Sequence, residues 1–187
     1  MAHVNAIFPT PGLDKRRFTV ADIHALVEKG VVNEDARFEL LDGEIIPMSP
    51  KGPLHESLRV TITDWARTLP FSLVWIAETT LYLDDRSFVE PDYVFFDRGI
   101  AIADLKPADI RLAIEVGAKS WKYDSEIKAP RYASVGVQEY WAVNARKRAV
   151  RVHREPTARG WANVRDFQSG DLVEALCAPG LPLLLGE

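Results

Sequence analysis

The stretch Ile110-Arg-Leu-Ala-Ile-Glu-Val-Gly117, together with Glu139-Tyr-Trp-Ala-Val143, decides the fold of this chain. Both runs are apolar and of strand length, and the residues between them predict a helix from about Tyr123 to Val135 that ends at Gly136. A strand, a helix and a second strand in this order are typical of a parallel pair joined by a right-handed crossover. We therefore expect a sheet that contains at least one parallel pair.

On the N-terminal side, the sequence predicts a helix, a hairpin and a second helix. Thr19 is a typical N-cap, with Asp22 three positions later as in a capping box. The dipeptide Asp42-Gly43 separates two short apolar runs and favours a type I′ turn. Pro53 can open the second helix, whose apolar residues recur at helical spacing as far as Leu69.

Antiparallel strands are predicted on both sides of the crossover. Residues 73–83 and 89–96 are expected to pair through a turn at 84–87, and residues 150–152 and 164–167 to form an antiparallel edge. The fold class is therefore α/β (α+β mixed), with a central mixed β-sheet flanked by helices and an extra N-terminal helix and hairpin.

Length and composition fit one domain with a sizeable core, since 47% of the 187 residues are hydrophobic. We expect residues 1–17 to form an arm and residues 18–187 to form the domain. The chain has no long apolar run and no basic start followed by an apolar segment, so neither a membrane span nor a signal peptide is expected. The single Cys177 fits a reducing cytoplasm, and the net charge of −4 argues weakly against nonspecific coating of nucleic acid.

Two carboxylates interrupt runs that otherwise predict buried strands: Asp92, which follows Pro91, and Glu115. An ionised carboxylate beside a core is costly unless it is paired, hydrogen-bonded or bound to a metal. Two of them on neighbouring strands, with a lysine in reach, indicate a divalent-metal site for phosphodiester cleavage. The alternatives are that Asp92 is a turn residue and that Glu115 faces solvent together with Arg111.

Lys128 is the candidate lysine. Asp124, Lys128, Arg131 and Tyr132 share one face of the predicted helix, so the Lys128 ammonium can project over the carboxylates. The alternative is an Asp124–Lys128 surface pair worth only about 0.2–0.5 kcal/mol. Four further residues are candidate accessory groups: Glu39, Glu44, His55 and Asp124.

Clusters of cations are candidates for binding a nucleic-acid backbone. One cluster follows the second crossover strand and comprises Arg146, Lys147, Arg148 and Arg151. A second is Lys15-Arg-Arg17 in the arm. The alternative for both clusters is an ordinary solvated face.

The polar residues stand in blocks that resemble a known family. In family order these blocks are Phe38-Glu-Leu-Leu-Asp-Gly-Glu44, Met48-Ser-Pro50, His55, Glu90-Pro-Asp92, Ile114-Glu-Val116, Tyr123-Asp124, Lys128, Tyr132 and Gly136-Val-Gln-Glu-Tyr-Trp141. Together they resemble the Uma family of putative restriction endonucleases, in the PD-(D/E)XK nuclease superfamily. The resemblance implies a restriction-endonuclease-like core, Mg²⁺ or Mn²⁺ as cofactor, and Asp92 and Glu115 as metal ligands. We add the backbone carbonyl of Val116 as a third ligand.

One position departs from the pattern of the PD-(D/E)XK superfamily that the resemblance implies. In that pattern the lysine stands two residues after the glutamate, and here that position is Gly117. Lys128 matches the pattern of families in which the lysine has moved to the following helix. Lys119 and Lys122, in the intervening loop, are the alternatives.

These observations predict a metal-dependent endonuclease that hydrolyses DNA phosphodiester bonds, with DNA as its partner and a homodimer as its assembly. The alternative is a catalytically decayed module of the same fold that serves in nucleic-acid binding or dimerisation. Gly117 and the mild acidity favour that alternative, whereas the three retained polar candidates favour the enzyme. A hydrolase for a different phosphodiester is a third hypothesis.

Overall fold

The computed structural model describes residues 17–186 of the chain. The predicted arm, including Lys15 and Arg16, therefore lies outside the described residues apart from Arg17. The strands are, in chain order, β1 (Phe38–Leu41), β2 (Glu44–Pro47), β3 (Leu73–Ala77), β4 (Leu81–Asp84), β5 (Ser87–Val89), β6 (Tyr93–Asp97), β7 (Ile110–Gly117), β8 (Glu139–Asn144), β9 (Ala149–Thr157), β10 (Gly160–Phe167), β11 (Leu172–Val173) and β12 (Leu183–Leu184). The helices are α1 (Val20–Glu28), α2 (Pro53–Ala66), α3 (Trp121–Tyr123) and α4 (Ala129–Ser134), with one π-helical turn at Asp124–Lys128 between α3 and α4.

A six-stranded mixed sheet forms the centre, in the spatial order β10-β9-β8-β7-β6-β3. β7 and β8 are parallel, whereas the other neighbouring pairs of this sheet are antiparallel. The predicted mixed sheet and parallel crossover are confirmed. β9 and β10 are longer than predicted, because they form a hairpin that extends past the end of β8.

A second sheet of four strands has the order β2-β1-β5-β4. The sequence predicted two uninterrupted strands over residues 73–83 and 89–96, and this prediction is wrong in one respect. Each segment pairs antiparallel with the other as expected, but each is divided between the two sheets: β3 pairs with β6, and β4 pairs with β5. The first division passes through Glu78, whose φ of 54° lies in the left-handed region. The second division contains Asp92.

Local signals in the N-terminal half are confirmed. Thr19 and Asp22 form the capping box of α1. Asp42 and Gly43 have φ values of 51° and 78°, as a type I′ turn requires. Pro53 occupies the first turn of α2, which ends at Ala66 rather than Leu69.

The two faces of the central sheet pack against different helices. On one face, α2 contributes Ile62 and Trp65 to a core that contains Phe95 and Trp141. The other face packs against residues 121–134, which run from the start of α3 to the end of α4 and are called the α3–α4 stretch below. This stretch contributes Tyr132 to a second apolar cluster. Pro130, which has no N–H, lies at the start of α4 directly after the π-helical turn. No helix within residues 17–186 has both the length and the apolar character needed to cross a membrane.

Candidate active site

The candidate site lies where β6 ends beside β7. The last pair between these strands joins Tyr93 to Ile114, so the end of β7 continues past its neighbour. Asp92, the residue just before β6, fills this position and accepts a hydrogen bond from the Val116 N–H at 2.8 Å. The split between the two sheets therefore brings Asp92 next to the strand that carries Glu115.

Asp92 is buried and held by three different donors. Besides the Val116 N–H, its carboxylate is 3.0 Å from the Lys51 ammonium and 3.0 Å from His55 Nε2. Burial alone would raise the pKa of Asp92, but His55, Lys51 and the Val116 N–H together lower it. Asp92 is therefore an ionised group at neutral pH and not a turn residue.

Glu115 lies on the face of β7 that the α3–α4 stretch covers, and it is 6% exposed. The hypothesis that it faces solvent is therefore wrong. Its Oε1 is 2.5 Å from the Lys128 ammonium and accepts a hydrogen bond from the Tyr132 hydroxyl at 2.8 Å. Within residues 17–186, no hydrogen bond reaches Oε2 of Glu115.

Lys128 connects Glu115 to the hairpin of the second sheet. Its ammonium is 2.7 Å from Glu39, and this lysine is only 3% exposed. Burial raises the pKa of Glu115. The positive charge of Lys128 lowers this pKa, whereas the negative charges of Glu39 and Asp124 raise it further. Those carboxylates also raise the pKa of Lys128, in opposition to burial, so the lysine stays charged.

Asp124 is buried beside this cluster and does not form the surface pair with Lys128 that the sequence allowed. Its carboxylate accepts a hydrogen bond from the Ser120 hydroxyl at 2.9 Å. Burial is the main cause that raises the pKa of Asp124 to about 6. Arg131, which the sequence placed on the same helical face, instead pairs with Asp42 at 3.0 Å and with Asp84.

Two carboxylates and one backbone carbonyl could hold a divalent ion. No group of three or more His, Cys, Asp or Glu side chains in the described part of the chain is arranged to bind a metal. In a β-strand the N–H and C=O of a residue project toward the same side, so the Val116 carbonyl points to the side of Asp92. If an ion bound here, Asp92, the Glu115 oxygen that accepts no hydrogen bond within residues 17–186 and the Val116 carbonyl would offer it oxygen ligands only, which suits Mg²⁺ because this ion also keeps several waters.

The structure explains why Gly117 carries no lysine. A Cβ built at Gly117 would lie 2.5 Å from Asp124 Oδ2 and 2.6 Å from the backbone nitrogen of Trp121. The start of the α3–α4 stretch thus occupies the space that a side chain would need. Lys119 is exposed, and Lys122 lies in solvent 3.9 Å from Glu126, so Lys128 is the lysine of this segment that contacts the carboxylates.

Gly117→Ala should therefore lower the free energy of unfolding by about 1–3 kcal/mol, because one of the atoms it meets is backbone that cannot rotate away. The measurement is urea denaturation followed by circular dichroism. Gly99→Ala is the matched control, since nothing lies within 4 Å of a Cβ at Gly99. Equal effects of the two substitutions would contradict the crowding argument.

The other predicted accessory residues divide into two groups. Glu39 and His55 contact the site through Lys128 and Asp92. Glu44 lies outside the site, exposed and 3.7 Å from Arg17. Sequence reasoning missed Lys51, because the irregular segment between β2 and α2 offers no periodic pattern from which its contact with Asp92 could be inferred.

The predicted nucleic-acid-binding cations have different surroundings. Arg146 and Lys147 are exposed in the turn between β8 and β9, where the Arg146 guanidinium donates to the Ala118 carbonyl at 3.0 Å. This turn is therefore next to the end of β7. Arg148 donates to the Leu185 carbonyl, and Arg151 forms a two-point ion pair with Asp166. Arg146 and Lys147 are exposed and carry no ion pair within residues 17–186, so both can bind a phosphate, whereas Arg148 and Arg151 are engaged with a carbonyl and a carboxylate of the protein.

Comparison with known proteins bears on the family and the fold of the chain. The model of the Uma2 family, described as "Putative restriction endonuclease", matches residues 20–185. Among solved structures, the chain is similar to one described as a putative nuclease belonging to DUF820 from Anabaena variabilis, with a TM-score of 0.72 and 16% sequence identity. The match covers 90% of this chain and 95% of that chain, and at this identity it shows the fold alone. No curated protein matches the sequence.

Proposed function

Because the chain belongs to the Uma2 family of putative restriction endonucleases, we propose that it is a metal-dependent endonuclease that hydrolyses the phosphodiester bonds of DNA. The observation that supports the proposal most is the pair of buried carboxylates, Asp92 and Glu115, at the joined ends of β6 and β7. The backbone link through Val116 fixes Asp92 to the strand that carries Glu115. Burial of both groups carries a desolvation cost even with their ion pairs to Lys51 and Lys128, which favours a functional reason for the arrangement.

Mg²⁺ or Mn²⁺, held by Asp92, Glu115 and the Val116 carbonyl, would polarise a phosphate and lower the pKa of a bound water. The residues of the chain prepare this centre. His55 and the Val116 N–H orient the Asp92 carboxylate. Tyr132 and Lys128 fix Glu115 through one oxygen and leave the other without a hydrogen-bond donor among residues 17–186.

Lys128 has an electrostatic role in this proposal. Glu39, Glu115, Asp92 and Asp124 would otherwise repel one another in a buried site, and the ammonium of Lys128 offsets part of this charge. A positive charge beside the centre also favours the extra negative charge that a phosphodiester gains as water attacks. DNA as the substrate, and assembly as a homodimer, belong to the same proposal.

The proposal predicts cleavage that depends on the metal. Purified protein should convert supercoiled plasmid to nicked or linear DNA with Mn²⁺ or Mg²⁺, and excess EDTA should stop the reaction. RNA and a nitrophenyl phosphodiester, tested in parallel, would reveal a different phosphodiester substrate. Calorimetry with Mn²⁺ should show binding, and its absence together with no cleavage would favour the decayed module instead.

A second prediction concerns the exposed cations beside β7. Replacing both Arg146 and Lys147 by alanine should weaken DNA binding about tenfold at low salt and reduce the slope of log K against log[salt] by about 2, because two phosphate contacts are lost. Stability should hardly change, since both side chains are exposed. Fluorescence anisotropy with a labelled duplex over a salt series measures both quantities.

The double variant Arg67→Ala, Arg165→Ala is the control for this experiment. It removes the same charge from the far end of α2 and from the edge strand β10. If the control reduced the salt slope as strongly, the turn between β8 and β9 would have no special part in DNA binding.

A further inference from the structure

The site contains a second lysine, Lys51, whose environment differs from that of Lys128. Lys51 lies in the irregular segment between β2 and α2, and its ammonium contacts Asp92 at 3.0 Å and also Glu78. Its side chain is 15% exposed, compared with 4% for Lys128. One lysine therefore stands at the rim of the site and the other inside it.

The carboxylates that hold Lys51 would keep other partners if this lysine left. Asp92 would still accept hydrogen bonds from the Val116 N–H and from His55. Glu78 is partly exposed and would keep its ion pair with Arg59 at 2.8 Å. Departure of Lys51 therefore leaves no buried charge without a donor.

Departure of Lys128 would have a different consequence. It would leave Glu39 and Glu115 buried and facing each other without a cation, which is among the costliest arrangements in a protein interior. Lys128 is thus bound in place, and Lys51 is the lysine that can move without such a cost.

We propose that Lys51 is an exchangeable cation of the site, which neutralises Asp92 in the metal-free protein and contacts a DNA phosphate once a divalent ion binds Asp92. This inference rests on the proposed nuclease function and extends it. Lys51 then contacts the substrate itself, whereas Lys128 holds Glu115 in place and adds a fixed positive charge beside the centre. Glu78 is the group that holds Lys51 between turnovers.

Lys51→Met tests the proposal, because an exchangeable Lys51 predicts opposite effects of this substitution on Mn²⁺ affinity and on the rate of cleavage. Mn²⁺ should bind about tenfold more tightly, since a competing positive charge beside Asp92 is gone. Cleavage at saturating Mn²⁺ should fall about 100-fold, since a charge on the phosphate is lost. A lysine that merely supported the local structure would, on removal, weaken metal binding and cleavage together.

Arg59→Gln is the matched control for metal binding. It removes a cation from Glu78 without touching Asp92, so its Mn²⁺ affinity should stay within about twofold of the wild type. Calorimetry without DNA measures affinity for both variants, and single-turnover assays with plasmid measure the rate of cleavage. Melting curves verify that the variants are folded.

The outcomes separate the two proposals. If the wild type binds Mn²⁺ and cleaves DNA while Lys51→Met matches it in both assays, the exchange is overturned and the nuclease function stands. If Lys51→Met weakens Mn²⁺ binding, Lys51 helps to hold the metal ligands in place, and the proposal that it is an exchangeable cation is likewise overturned. A wild type that neither binds Mn²⁺ nor cleaves DNA overturns both proposals.

Discussion

Glu115→Gln should lower the rate of metal-dependent DNA cleavage by about 10³-fold or more, which corresponds to about 4 kcal/mol of transition-state stabilisation. An amide of nearly the same shape cannot supply the negative oxygen that a divalent ion requires. Single-turnover cleavage of a plasmid measures the rate, and calorimetry with Mn²⁺ measures the accompanying loss of affinity. Glu44→Gln is the matched control, because Glu44 is exposed and lies outside the site. A wild-type rate for Glu115→Gln would remove Glu115 from the mechanism.

The same variant makes a prediction about pH and stability. The folded protein raises the pKa of Glu115 above its ordinary value of 4.5, mainly through burial. The folded state therefore binds this proton more tightly than the unfolded chain, and the contribution of Glu115 to stability falls as pH rises from about 4.5 toward the raised pKa. Glutamine does not titrate, so urea denaturation should show Glu115→Gln gaining stability relative to the wild type between pH 5 and pH 8.

Lys128→Met should reduce the free energy of unfolding by about 3–5 kcal/mol at pH 8, because it leaves Glu39 and Glu115 buried without their shared cation. The deficit should be smaller at pH 5. At that pH the Glu115 carboxyl group of the variant can take up a proton, whose binding the folded state favours. Urea denaturation at both pH values measures the difference.

Lys122→Met provides the control for Lys128→Met. Lys122 belongs to the same α3–α4 stretch, but its side chain is 80% exposed and its ion pair with Glu126 spans 3.9 Å. Its removal should cost no more than about 0.5 kcal/mol at either pH. If both methionine variants lost the same small amount, the ion pairs of Lys128 would contribute little to the fold.

Much of the fold could be predicted because local chemistry determines it. The turn at Asp42-Gly43, the capping box at Thr19 and the opening of α2 at Pro53 each depend on a few adjacent residues. The division of the two long strands could not be predicted in the same way. It passes through Glu78, and a left-handed φ at a glutamate has no signal in the sequence because tertiary contacts impose it.

The candidate site shows the same contrast. Asp92, Glu115 and Lys128 stand out because a charged residue interrupts an apolar run or completes a helical face. The structure joins Glu115 to Lys128 by an ion pair and links Asp92 to the same strand through the Val116 N–H. Lys51 contacts Asp92 across 41 positions of sequence through a segment without periodicity. Its place depends on how β2 leads into α2, which only the folded chain determines. The catalytic roles of all four residues stay predictions.

The ion pair between Lys128 and Glu39 joins residues that are 89 positions apart in the chain. Loop closure over this distance is entropically unfavourable, and pairings that are remote in sequence form slowly. During synthesis, the hairpin that carries Glu39 and the strand that carries Glu115 leave the ribosome before Lys128 does. The nascent protein therefore cannot complete its charge-balanced centre until the helical stretch with Lys128 has emerged, and β8, the parallel neighbour of β7, emerges only after that stretch.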